Sequence, residues 1–245
     1  MPTFRVPEPS PVNARDEAIE YHDMDHRSVN QQFVDDFLGR AGGVVQAAAI
    51  HQTAAVFSSG PRVIDLGCGP AEIPILLCQS HPNVQVMAID NEVEMLEIAK
   101  MEIDIAGMLD RIMLQHADVA KMDAYDDGMA DGVISNSVLH HLDVPEQGLV
   151  TAMRLVRPGG CVFLRDLFRP DTEAEIEALV KVHSAGQSPA AEQLLRQSFW
   201  AALSMEEVRE MTQGLGIEDP CVQITSDRHW TLDWSKPGSV PVAST

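Results

Sequence analysis

The chain has 245 residues, 45% of them hydrophobic, which suits one large domain with a full core. A formal net charge of −20 opposes a phosphate backbone and argues against sequence-blind nucleic-acid binding; it tolerates or attracts a cationic partner and above all keeps the chain in solution. No apolar run reaches the roughly 18 residues that a membrane span needs; Val44–Phe57 comes nearest and is interrupted by Gln46, His51, Gln52 and Thr53.

The start of the chain has no apolar signal core and is spotted with Pro2, Pro7, Pro9 and Pro11, which predicts a mobile tail over residues 1–12. Cys68, Cys78, Cys161 and Cys221 form no C-x-x-C pair, so reduced thiols and a cytoplasmic location are expected. Asn13–Tyr21 and Asn30–Ala41 read as helices, the second striped by Phe33, Phe37 and Leu38, and a third is expected to run to about Ser58. Ser59-Gly60-Pro61 then breaks the chain.

Short apolar runs follow in alternation with helical stretches. Strand Arg62–Leu66 precedes helix Glu72–Gln79, Val84–Ile89 precedes helix Val93–Ala106, and Ile112–Gln115 stands before a turn. Gly132–Ser135 precedes a helix near Pro145–Val156, and Pro158-Gly159-Gly160 turns into Cys161–Leu167. Such alternation predicts a parallel sheet covered by helices on both faces. Past Leu167 come two capping boxes, Thr172 with Glu175 and Ser204 with Glu207, and a Ser188-Pro189 helix start. Cys221–Thr225 and Trp230–Trp234 predict a closing antiparallel hairpin.

The chemistry concentrates at Val63-Ile64-Asp65-Leu66-Gly67-Cys68-Gly69-Pro70-Ala71, a strand entering a glycine turn that opens a helix. Gly67 and Gly69 let a ligand approach the backbone, and the helix start offers N–H groups to a carboxylate. A dinucleotide site would continue as G-x-G-x-x-G, but the third position here is Glu72, which repels a pyrophosphate. Asp65, just before the turn, points to a cationic ligand group.

These residues resemble the first motif of the class I S-adenosylmethionine-dependent methyltransferases, D/E-x-G-x-G-x-G, with Ala71 in place of the last glycine. The resemblance runs from about Arg62 to Asp166. It implies that S-adenosylmethionine is the methyl donor, held at Asp65, Gly67, Cys68 and Gly69. Asp90, with Asn91 beside it, matches the acid that accepts from both ribose hydroxyls; Asp118, followed by Val119, matches the acid that accepts from the adenine amino group. Asn136 matches the polar residue closing the fourth strand beside the donor, and Arg157-Pro158-Gly159-Gly160 matches the turn into the fifth.

On the acceptor side, Tyr21 and His26 stand in a polar segment expected to fold over the donor. His140, in His140-His141 after the fourth strand, is a candidate base, and Arg165 a candidate grip for the acceptor. Arg165 and Asp166, being neighbours on a strand, should face opposite ways. His22 and His26 have the i, i+4 spacing of metal ligands, but no third ligand accompanies them and no metal is expected. The expected α/β fold is a Rossmann-like, doubly wound, mostly parallel sheet with a C-terminal antiparallel hairpin and a helical lid. Its parts are a tail (1–12), an N-terminal helical lid (13–60), a donor-binding core (61–170), an inserted helical pair (171–203) and a closing helix and hairpin (204–245). The expected function is methyl transfer to a small-molecule acceptor, with no nucleic-acid or membrane partner. A donor-binding protein without turnover and a nucleotide-cofactor oxidoreductase remain as alternatives.

Overall fold

A computed structural model of the protein describes residues 3–10, 12–51 and 60–238, with the side chains of 40–51 and of residue 219 excepted. Helix α1 spans Ala14–Asp23 and starts on Asn13, whose side chain accepts from the N–H groups of Arg15 and Asp16. Helix α2 spans Arg27–His51 as one element of 25 residues. The sequence suggests a helix ending at Ala41 and a separate third one. The chain instead continues through Gly42-Gly43, and the remainder, residues 52–59, lies outside the described residues.

The sheet then builds in chain order: β1 (Arg62–Leu66), α3 (Glu72–Ser80), β2 (Gln85–Asp90), α4 (Val93–Ile105), β3 (Ile112–His116), β4 (Ala130–Asn136), α5 (Pro145–Leu155) and β5 (Val156–Leu167). Two helices, α6 (Glu173–His183) and α7 (Pro189–Ala201), precede α8 (Met205–Gly214) and the hairpin of β6 (Val222–Ile224) and β7 (His229–Ser235). The seven strands lie in the order β3-β2-β1-β4-β5-β7-β6. The first five pair in parallel, whereas β7 runs antiparallel to both β5 and β6.

Both capping boxes form at the residues that the sequence marks, and Ser188 with Pro189 opens α7. The Pro158-Gly159-Gly160 turn differs from expectation. It lies inside a strand that already begins at Val156, as a bulge that shifts the pairing with β4 between Ala130 and Gly132. The order of strands reverses between β1 and β4, and a crevice opens beyond their carboxyl ends, where open parallel sheets hold ligands. One face of the sheet packs against α2 and α3 around Phe33, Phe37, Leu77 and Phe163; the other packs against α5 and α8 around Leu149, Val208 and Trp230.

The proline-spotted start does not hang away from the domain. Thr3 and Val6 donate backbone N–H groups to the carbonyls of Asp171 and Trp200. Arg5 donates to the carbonyls of His140 (3.1 Å), Leu142 (2.6 Å), Asp143 (3.2 Å) and Ala201 (2.8 Å). Residues 3–10 form a strap across α7 and the Leu139–His141 turn. No described helix is long and apolar enough to cross a membrane.

Arg165 shows how the strand sorts its side chains. It is 6% exposed; its Nη2 meets Asp36 Oδ2 at 2.6 Å, its Nε donates to Thr231 Oγ1 at 3.0 Å, and its guanidinium stands 5.5 Å from the Phe33 ring. It is thus a packing residue between α2 and the sheet. Arg165→Ala strips these contacts, while Asp36, a third exposed, can turn to water. Thermal or denaturant unfolding should show a loss of about 2–3 kcal/mol, with affinity for S-adenosylhomocysteine unchanged.

Candidate active site

The crevice beyond β1, β2 and β4 is a cavity of about 1250 Å³. That exceeds the roughly 300–1,000 Å³ typical of one ligand and leaves room for two. Its floor is the glycine turn. Gly67 and Gly69 adopt φ of 74° and 52°, and a Cβ on Gly67 would stand 2.2 Å from a Val138 methyl. At Gly69 a Cβ would meet nothing closer than Tyr21, at 3.8 Å, so that side of the turn faces the cavity. Ala71, in the place of the family's third glycine, takes φ 65°, a left-handed conformation that costs an L residue about 1–2 kcal/mol. Ser137, beside Asn136, does the same at φ 58°. No side chain caps α3, so its N-terminal end is available to an anion.

Two carboxylates dominate this floor. Asp65 is 2% exposed, and burial, then the charge of Asp90, pushes its carboxyl up to about 8. Asp90 is raised by burial too, against the N–H groups of Glu92 (2.9 Å) and Gly69 (2.8 Å), which favour its charge. Glu72 accepts from Asn30 at 2.7 Å. Such an arrangement is costly without a cation and suits one well. Asn136 adds a second indication: its Oδ1 is buried with no partner, ready for a donor on a ligand. Cys68 stays a neutral thiol because burial raises it.

Farther along the cavity, Asn91 takes the His116 ring nitrogen on its carbonyl at 3.0 Å. Asp118 caps the turn that begins at Val119 and also holds Lys121 at 2.8 Å, whose hydrogen bond lowers the Asp118 carboxyl. Asp65, Gly67, Cys68, Gly69, Asp90, Asn91, Asp118, Val119 and Asn136 therefore all line one cavity.

The four acceptor-side residues separate. Tyr21 and His26 line the cavity with their rings 4.8 Å apart. Burial, with Asp90, Glu72 and Asp65 nearby, raises the Tyr21 phenol to about 12, so it remains a protonated donor; burial lowers His26, which is neutral. Arg165 and His140 are absent from the cavity wall. Arg165 is spent on Asp36 and Thr231, on the α2 face of β5. His140 is 3% exposed, with Nδ1 on Asp166 Oδ1 at 2.5 Å and its backbone N–H on Asp166 Oδ2 at 3.1 Å. Its neighbour His141 lines the cavity instead. His22 lies against Glu102 at 3.6 Å, and α1 ends at Asp23, so His22 and His26 do not share a helical face.

Sequence reasoning missed Glu8. Its carboxylate joins His141 Nδ1 at 2.5 Å and Ser198 Oγ at 2.7 Å, with His140 Nε2 at 3.9 Å. Burial would raise Glu8, but the hydrogen bond and charge of His141, the charge of His140 and Ser198 outweigh it and bring it down to about 2. Glu8, His140 and His141 are close enough to suggest a metal. The 2.5 Å Glu8–His141 separation is a hydrogen bond, however, whereas two ligands on tetrahedral zinc stand about 3.3 Å apart.

Comparisons with known proteins bear on this geometry. A family described as a methyltransferase domain matches residues 64–164. The 27-O-demethylrifamycin SV methyltransferase of Amycolatopsis mediterranei is 28% identical over 73% of this chain and 61% of its own length. An O-methyltransferase of Aspergillus sclerotiorum is 24% identical over 62% of this chain and 60% of its own. The chain thus spans about three-fifths of these relatives. Among solved structures, a candidate S-adenosyl-L-methionine-dependent methyltransferase from Methanococcus maripaludis superposes with a TM-score of 0.66 at 17% identity, covering 96% of this chain and 99% of that one. A [4+2]-cyclase superposes with a TM-score of 0.57 at 13% identity, covering 96% and 100%. These two likenesses speak for the fold alone. The stretch that matches the methyltransferase-domain family, residues 64–164, spans β1 to β5 with its glycine turn.

Proposed function

We propose that the protein transfers a methyl group from S-adenosylmethionine to a small-molecule acceptor that gives up a proton. The observation that carries this reading is the buried pair Asp65 and Asp90 under a glycine turn, two carboxylates whose ionisation calls for a cationic ligand. S-adenosylmethionine brings such charge in its ammonium and sulfonium groups, and it supplies a methyl already activated towards displacement. Asp65 holds the ammonium, and the start of α3, with Gly67, Cys68 and Gly69, takes the carboxylate. Asp90 and Asn91 hold the ribose, Asp118 and Val119 the adenine, and Asn136 fills its empty Oδ1 beside the donor. The chain contributes mainly by placing acceptor and methyl in line and excluding water.

The rest of the cavity receives the acceptor under a lid made of α1 and the start of α2, which bring Tyr21 and His26, with α6 and α7 behind it. Tyr21 donates a hydrogen bond, and His26, whose buried Nε2 has no partner, is available to the acceptor. The small-molecule methyltransferases among the relatives support this acceptor class. The acidic field, which disfavours nucleic acid, supports it too. Four unpaired thiols and the lack of a membrane-crossing described helix suit work in the reducing cytoplasm.

The Asp65 carboxyl gives a signed prediction. Its pKa is higher folded than unfolded, so its favourable contribution is full below about pH 4 and disappears as pH rises towards about 8. Asp65→Asn should therefore raise the ligand-free Tm above pH 7. Calorimetry should show S-adenosylhomocysteine binding about 10–100-fold more weakly to that variant, the scale of losing a hydrogen bond to a charged group. A lower Tm together with unchanged affinity contradicts the assignment.

Turnover is tested with methyl-labelled S-adenosylmethionine and a panel of small hydroxyl and amino compounds. Release of S-adenosylhomocysteine above the blank, matched by label in the acceptor, is the expected result. With that acceptor, Tyr21→Phe or His26→Ala should raise KM or lower kcat by about tenfold, the scale of one hydrogen bond. Tight S-adenosylhomocysteine binding with no release for any compound marks a donor-binding protein without turnover.

A further inference from the structure

The N-terminal strap carries Glu8 to a place that nothing in the donor chemistry requires. Arg5 locks the strap to four carbonyls at the His140–Asp143 turn and the end of α7, and the Phe4 ring meets Trp200 edge-on at 6.5 Å. Glu8 then reaches the cavity wall, where Ser198 donates to one carboxylate oxygen at 2.7 Å and His141 Nδ1 joins the other at 2.5 Å. A carboxylate in its charged form only accepts, so the proton in this second bond sits on Nδ1. A neutral His141 therefore has a bare Nε2, and its ring borders the cavity. Asp166 is already committed to His140 and to the backbone N–H of Leu167, which leaves Glu8 as the acid that serves His141.

We propose that Glu8 is a positioning residue that holds His141 as the Nδ1–H tautomer, so that His141 Nε2 takes the acceptor's proton. The inference rests on the methyl-transfer reading above. As the acceptor's oxygen or nitrogen forms its bond to the methyl carbon, the carbon–sulfur bond breaks with its electron pair kept by sulfur. The acceptor's proton moves to His141 Nε2, and the resulting imidazolium is stabilised by Glu8. The strap thus contributes Glu8 to the active site.

The groups facing His141 are Glu8 from the strap, Glu17 from α1, Asp90 from the end of β2, Asp166 from β5 and the adjacent His140. Burial disfavours an imidazolium there, but the Glu8 hydrogen bond and charge, with Asp166 and Asp90, outweigh it and raise the ring above its ordinary value. A base so raised works better as pH increases through its titration.

The test is a nitrogen-15 NMR titration of the full chain with S-adenosylhomocysteine bound, the His141 signal being identified by its loss in His141→Gln. Neutral His141 should carry its proton on Nδ1 and titrate above the ordinary histidine value of about 6.5. Glu8→Gln should lower that midpoint by about one unit or more and mix the tautomers, and Glu8→Asp should restore part of both. A neutral His141 with its proton on Nε2, or a midpoint unmoved in Glu8→Gln, overturns the proposal. Calorimetry with S-adenosylhomocysteine on the same samples reports separately on the donor reading, since neither Glu8 nor His141 is assigned to the donor.

Discussion

Asp65 and Asp90 share one buried corner of the sheet, and the rest of the site is arranged around that unfavourable closeness. Burying a carboxylate costs free energy unless its charge is matched, and burying two side by side costs more. Main-chain N–H groups from Gly69 and Glu92 help Asp90, but Asp65 is lifted to about 8, where half of it is protonated. The backbone is strained at the same place, with Ala71 and Ser137 in left-handed conformations on either side of the cavity floor. A fold keeps such features where a ligand offsets them.

The topology explains how these residues meet. In the order β3-β2-β1-β4-β5-β7-β6, the strands that carry Asp65 and Asn136 are adjacent, and Asp90 closes the neighbour on the other side. Strand ends supply rigid positions on the cavity floor. The strap, α1 and the start of α2 supply a roof that brings Glu8, Tyr21 and His26 to the cavity wall. The stretch of residues 64–164 that matches the family covers the strand ends but not the strap, α1 or α7. A [4+2]-cyclase superposes on the same fold, so the fold by itself does not fix the chemistry.

What the sequence reveals is what short-range physics controls. Alternating runs mark the strands, glycines mark the turn, and Thr172 with Glu175 or Ser204 with Glu207 mark helix starts within three residues of one another. Residues that act through distant partners are not visible that way. Glu8 lies 133 residues from His141 and 190 from Ser198, in a stretch whose prolines suggest a tail. Strand parity separates Arg165 from Asp166, but it does not say which faces the helix packed above; only the partners Asp36 and Phe33 decide that. His140 and His141 differ by one step around a short turn, which puts one under Asp166 and the other on the cavity. The sequence suggests one helix ending at Ala41 and another after it, yet α2 continues through Gly42-Gly43 to His51.

The central claim is that the cavity floor is built for a cation, and proton linkage tests it most directly. Calorimetry of S-adenosylhomocysteine binding at pH 7, repeated in buffers of different ionisation enthalpy, counts the protons exchanged. A ligand ammonium that settles on Asp65 drives its carboxyl, largely protonated at pH 7 with a pKa of about 8, to ionise. Binding should therefore release close to one proton, and the release should vanish in Asp65→Asn. Binding with no proton released in the wild-type protein, or with the same release in the variant, would contradict the account.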